Sequence, residues 1–221
     1  MALMKINNTL EMLKVKTILL AIAMLSSLPA WAEIEQPNYN VILEKDIFAI
    51  RDYTSVMAVE TEVFSSRREA AGDAFRRLFR YISGENEDNL KISMTSPVAQ
   101  TLANQNDDDS AERWIVRFFL PKNMAEENIP LPSEKGVIVS KLKAQRFASV
   151  SFRGSQSDEK IEENTAKLKA FIAQNGYEVS GRPIYAFYDP PFIPWFLREN
   201  EILLPVKLNQ RNIENSGGDK P

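Results

Sequence analysis

The feature that most constrains this chain is a pattern that occurs twice. A helix signature opens at Ser66, with Glu69 three residues on as in a capping box, and carries Ala71, Phe75, Leu78 and Ile82 at steps of four, three and four before Gly84. A second opens at Ser157 and Asp158, carries Ile161, Thr165, Leu168 and Ile172 at the same steps, and closes at Asn175-Gly176. Strand-like runs flank each helix: 41–43, 48–53 and 56–64, then 92–100 and 114–120, around the first; 137–142 and 147–152, then 184–188 and 202–206, around the second. The order is strand-strand-helix-strand-strand, twice, after one leading strand. The offset of about 90 residues is too long for a solenoid. The pattern predicts a tandem duplication folded into one α+β, sheet-rich domain. Neither half is expected to stand alone, because four strands and one helix leave a sheet face uncovered.

One segment departs from this regularity. "YDPPFIPWFLRENEILLPV" (188–206) sets Tyr188, Phe192, Trp195 and Phe196 among Pro190, Pro191 and Pro194. Prolines so close together suit neither a helix nor a central strand. A loop is therefore expected, yet one with the aromatic content of a core. The prolines limit its freedom, so less entropy is lost when something packs on it. Its rings then form either a plug over the sheet or one wall of a cleft opposite Phe75 and Phe79, and the wall is the favoured reading.

Composition narrows the chemistry. The 221 residues include no histidine and no cysteine. Histidine-dependent nucleophile triads, the usual zinc sites, His-ligated haem and disulfides are thereby excluded. A net charge of −3 gives no nucleic-acid footprint. The acidic residues fall on polar helix faces and turns, as Glu162, Glu163, Glu199 and Glu201 do, without a recognisable catalytic pairing.

The first 32 residues read as a signal peptide rather than as fold. Lys14 and Lys16 precede an apolar run from Ile18 to Leu28, and Ala30-Trp31-Ala32 supplies a small-x-small cleavage signal. Such a run spans about 16 Å as helix, against roughly 30 Å of hydrocarbon. Met12 is an alternative start that leaves a compact leader. The expected organisation is a signal peptide over 1–32, one domain over 33–208 and a disordered tail over 209–221. The product is expected in the periplasm or secreted, monomeric, with no stable membrane insertion once the leader is cleaved. "LANQNDDDSAE" (102–112) reads as a polar hairpin connection; it lacks the spacing, glycine and final glutamate of a calcium loop.

The first helix carries the clearest binding signal. In "AFRRLFRYI" (74–82), Phe75 and Phe79 lie four apart, and Arg76 and Arg80 lie four apart on a neighbouring strip. An apolar surface bordered by cations suits a flat apolar ligand with acidic substituents.

Three segments, "VILEKDIFAIRDY" (41–53), "FRRLFRYISGENEDNLKISMTSPV" (75–98) and the 188–206 loop, together resemble the SOUL haem-binding protein family over about residues 39–207. The resemblance implies a distorted antiparallel β-barrel with two helices, built by duplication. It also implies non-covalent haem, or another tetrapyrrole, in a shallow apolar cleft between the first helix and the loop before the last strand. On this sequence those features map to Phe75, Arg76, Phe79 and Arg80, and to Phe192, Trp195 and Phe196. Without histidine, packing and arginine–propionate pairs would hold the ligand, with Arg77 a further propionate partner and Met94 and Tyr81 the candidate weak iron ligands. Two other readings stay open. One is a hydrolase-like enzyme using acidic residues on a small amphipathic substrate in the same cleft. The other is an envelope interaction protein docking through the 188–206 loop.

Overall fold

The computed structural model describes residues 34–103, 112–190 and 192–209. The leader assigned to 1–32, most of the 102–112 connection and the tail beyond Asn209 lie outside the described residues. Among the described residues ten strands run β1 (Tyr39–Lys45), β2 (Phe48–Tyr53), β3 (Val56–Phe64), β4 (Val98–Leu102), β5 (Arg113–Phe119), β6 (Val137–Leu142), β7 (Gln145–Arg153), β8 (Tyr177–Val179), β9 (Ile184–Phe187) and β10 (Glu199–Leu208). Helix α1 (Arg67–Ile82) lies between β3 and β4, and α2 (Asp158–Gln174) between β7 and β8.

The strands form one antiparallel sheet in the order β1-β2-β7-β10-β9-β4-β5-β3-β6, with β8 on the end of β10. It curls into a half-barrel. No pairing joins β1 to β6 among the described residues, so the curl stays open. The two repeats are related by a pseudo-twofold axis between β4 and β9, where Ala99 pairs with Ala186. The order also reveals an exchange. Strand β2 of the first repeat pairs with β7 of the second, and β6 of the second pairs with β3 of the first. Registers match: Tyr53 opposes Gln145 as Val56 opposes Leu142. Each repeat therefore lends its first strand to the other. This exchange, beyond the uncovered face, is what makes a lone half incomplete.

Both helices cover one face. Helix α1 packs Ala70, Ala74, Leu78, Tyr81 and Ile82 with Val59, Trp114, Val116 and Phe118. Helix α2 packs Ile161, Leu168, Phe171 and Ile172 with Ile50, Val150, Ile202 and Leu204. Tyr185 of β9 touches both clusters and joins them.

Several sequence expectations shift. The buried line of α1 runs through Ala70 and Ala74, while Ala71 and Phe75 are only half-buried. The expected stripe followed the larger side chains; the sheet-facing line uses two alanines, whose small size lets the helix come close to β3 and β5. At the N-cap, Ser66 Oγ donates to Glu69 Oε2 at 2.9 Å rather than accepting from the backbone. The strand expected over 92–100 begins only at Val98, because Pro97 has no N–H to enter a ladder. The three-residue β8 was not anticipated.

Opposite the helices, one row of cross-strand neighbours runs Glu60, Arg117, Ala99, Ala186, Glu201, Ser151. The two alanines leave the middle of that face low, with a charged residue at each shoulder.

Candidate functional site

The apolar side chains of α1 that are not fully buried form a ridge outward. Phe75 sits half-buried, edge-on to Phe118 at 5.2 Å between centroids, and stacks on Phe79 at 5.8 Å with planes 10° apart. Phe79 is 49% exposed. One turn and two turns back along the same side lie Ala71 with Gly72, then Arg68. A Cβ added at Gly72 would meet nothing within 4 Å. The middle of the ridge is thus a flat step with no side chain standing on it.

The proline-rich loop is ordered by its own backbone. Leu197 N–H donates to Pro194 O at 2.9 Å, closing a 3₁₀ turn over Trp195–Leu197. Arg198 Nε donates to Ile193 O at 2.8 Å, and Gly154 N–H to Arg198 O at 3.0 Å, fixing the turn to the end of β7. A loop stitched this way holds its side chains outward: Phe192, Trp195 and Phe196 are 76%, 60% and 57% exposed. Trp195 and Phe196 meet edge-to-face at 5.8 Å. The aromatic rings are therefore not a plug. They stand in solvent with the stiff backbone behind them.

Trp195 faces the first turns of α1. It shares with Arg67, Arg68, Ala71 and Arg198 a crevice of about 360 Å³, floored by Gln100 and residues 154–156. Phe75 and Phe79 are not part of that lining; from Ala71 to Phe79 is about 12 Å along the helix. The structure thus brings Trp195 to one end of the α1 ridge and leaves Phe79 at the other.

The crevice is electropositive. Arg67 lies 5.6 Å over the Tyr185 ring, donates to Gln156 O at 2.8 Å and pairs with Asp158 at 2.7 Å. That hydrogen bond and charge, with a smaller contribution from Arg68, hold the Asp158 carboxyl below its ordinary range. Among the described residues, no carboxylate lines the crevice itself. Farther along, Arg76 pairs with Asp73, and Arg80 with Glu134 and Glu85. These are exposed contacts worth about 0–1 kcal/mol each, so an incoming anion can replace them.

Of the candidate iron ligands, Tyr81 is buried and donates its hydroxyl to Pro130 O at 2.8 Å. Burial pushes that phenol up to about 12. It belongs to the core. Met94 is 37% exposed in the extended segment before β4. Arg68 and Gly72 lie outside the segments that the sequence singled out, while Arg198 ends the loop segment that it did single out. For the two arginines the signal was the arginine content of 67–68 and 198, which acquires meaning once the turn after Pro194 folds against α1.

Residues 34–205 match the family described as SOUL heme-binding protein. Among curated proteins, Heme-binding protein 2 of Mus musculus is 26% identical over 190 residues, covering 85% of this chain and 89% of the relative. Heme-binding protein 2 of Homo sapiens is 27% identical over 170 residues, covering 76% and 82%. Among solved structures, the EcmrR C-terminal domain superposes with a TM-score of 0.54 at 11% identity, over 77% of this chain and 98% of that one. An uncharacterized conserved protein from Listeria innocua gives 0.51 at 11% identity, over 80% and 95%. Both structures share the fold.

Proposed function

The chain belongs to the SOUL heme-binding protein family, and from that premise we propose that it captures haem or a related tetrapyrrole on the outer face of α1, without turnover. The observation that carries this reading is the exposed ridge from Arg68 through Gly72 to Phe79, with the exposed Trp195 turn at its arginine end. The macrocycle lies on Gly72 and against Phe75 and Phe79, with Trp195 as the end wall and Phe192 and Phe196 extending it. A porphyrin-sized ligand covering several hundred Å² gains roughly 25 cal/mol per Å² of apolar surface before association costs. Its propionates meet Arg68 and Arg198 in the crevice, or displace the acids held by Arg76 and Arg80. Iron ligation by histidine has no source in this chain.

The leader motif extends the reading to an exported protein, working in a periplasm or outside the cell. Sequencing the N-terminus of the mature product tests this; Glu33 as first residue is expected.

Hemin titrated into the protein should give a saturable Soret change at micromolar concentration, with quenching of Trp195 fluorescence. An unchanged spectrum with the fold intact overturns the binding reading. Hydrolysis of ester substrates that disappears on mutation of a carboxylate near the crevice would favour an enzyme instead.

A further inference from the structure

The face of the sheet opposite α1 and α2 holds a second cavity, of about 280 Å³, away from the α1 ridge. Its floor is the Ala99–Ala186 pair on the pseudo-twofold axis, where the absence of larger side chains leaves the space. Its walls are aromatic: Tyr39, Tyr53, Phe119, Phe147 and Tyr188. Tyr53 meets Tyr39 at 5.0 Å and Phe147 edge-on at 5.6 Å, so these walls are packed before any ligand arrives. The segment of Gln36 and Pro37 closes one side. It is anchored by Ser96 N–H to Glu35 O at 2.9 Å and Lys122 N–H to Glu35 Oε1 at 2.7 Å.

The charges of this cavity have one sign. Arg117 and Lys143 line it, and no carboxylate does among the described residues. Arg117 uses Nε on Glu60, whose other oxygen accepts from Ser140 Oγ at 2.8 Å. The two terminal guanidinium nitrogens of Arg117, and the ammonium of Lys143, have no partner among the described residues. Glu201, next to Ala186 in the same row, is already filled by Arg51, Tyr188 and Ser151. Burial first, then the Glu201 charge, pushes the Tyr53 phenol up to about 12 and that of Tyr188 higher still. Tyr53 and Tyr188 therefore stay neutral, and among the described lining residues the two cations are what offers charge to a ligand.

We propose that this cavity is a separate binding site for a small aromatic carboxylate of one or two rings, its rings over Ala99 and Ala186 and its carboxylate on Lys143 and Arg117. The volume of about 280 Å³ lies just below the range of drug-sized ligand pockets, about 300–1,000 Å³, and suits such a molecule rather than a tetrapyrrole. A carboxylate meeting two cations forms charge-assisted hydrogen bonds, stronger than the neutral kind.

The test uses 2-naphthoate on the full chain, followed by calorimetry and by the methyl resonances of labelled alanine. Saturable binding is expected, with ring-current shifts at Ala99 and Ala186. Lys143 is exposed and has no partner among the described residues, so Lys143→Glu should fold normally; it should weaken 2-naphthoate about tenfold, with Lys143→Gln intermediate and hemin binding unchanged in both. Four results overturn the proposal: no saturable heat, equal affinity for neutral naphthalenemethanol, equal affinity in Lys143→Glu, or mutual competition between hemin and 2-naphthoate. A failed hemin titration beside a positive naphthoate result would remove the haem reading and leave this one standing.

Discussion

Arg51 Nη1 donates to Glu201 Oε1 at 2.7 Å, tying the exchanged strand of the first repeat to the last strand of the second. Glu201 is 3% exposed and Arg51 15%. Tyr188 donates its hydroxyl to the other carboxylate oxygen at 2.7 Å, and Ser151 Oγ adds a bond at 3.2 Å. Burial opposes the charge on Arg51, yet Glu201 and the Tyr53 hydroxyl more than offset it and leave the guanidinium more basic than usual. Glu201→Ala strands that cation and is expected to cost about 3–5 kcal/mol in urea unfolding. The double change Arg51→Met with Glu201→Leu removes both charges and should recover most of the loss.

Gly72 separates the stability of α1 from its use. Gly72→Ala places a methyl where nothing lies within 4 Å and removes a poor helix former, so a gain of about 1 kcal/mol is expected. Gly72→Leu should leave the protein folded but weaken hemin by about tenfold or more, since the side chain then stands on the flat step. Thermal unfolding and Soret titration of both variants check the pair.

Trp195 should report on the ligand while Trp114 should not. Trp195 is exposed on its turn, whereas Trp114 is buried with its indole N–H on Glu112 at 3.0 Å. Trp195→Phe is expected to remove most hemin-dependent fluorescence quenching. Trp195→Ala should also weaken binding, by about 1–2 kcal/mol of lost aromatic contact.

Asp52 supplies a pH signature of the β2–β7 contact. Arg146 donates Nε and Nη2 to its two oxygens at 2.6 and 2.7 Å, and this hydrogen bonding holds the carboxyl below its ordinary 3.8. A lowered folded-state value means the contribution is fully present above the unfolded value and lost as pH falls through the folded one. Asp52→Asn should therefore lower the melting temperature at neutral pH, with the difference shrinking below about pH 4 and vanishing in stronger acid. Melting curves of both proteins across that range check it.

How much of this was legible in sequence depended on range. The helices and most strands were visible because apolar periodicity and cap residues such as Ser157 act within a few positions. The duplication was visible because both copies keep that periodicity. The exchange of β2 and β6 was not, since pairing Phe48 with Val150 leaves no local mark. The phase of α1 was misread because Ala70 and Ala74 carry little hydrophobic weight yet make the closest approach. The prolines marked 188–206 as a loop but left a plug and a wall both open; the exposure of Phe192, Trp195 and Phe196, and the crevice that Trp195 shares with Arg68, needed the backbone bond from Gly154 to Arg198. The Ala99–Ala186 floor could not be read at all: two alanines nearly ninety residues apart become a cavity only when their strands lie side by side.

The exchanged strands also bear on how such a chain keeps its history. Once each copy houses the other's opening strand, neither copy can be deleted, reordered or replaced without taking apart its sister. The two halves can diverge in sequence, as Arg117 and Glu201 have at equivalent places in the row, but they can no longer part. The arrangement works as a ratchet, turning a repeat that began as surplus into one indivisible unit.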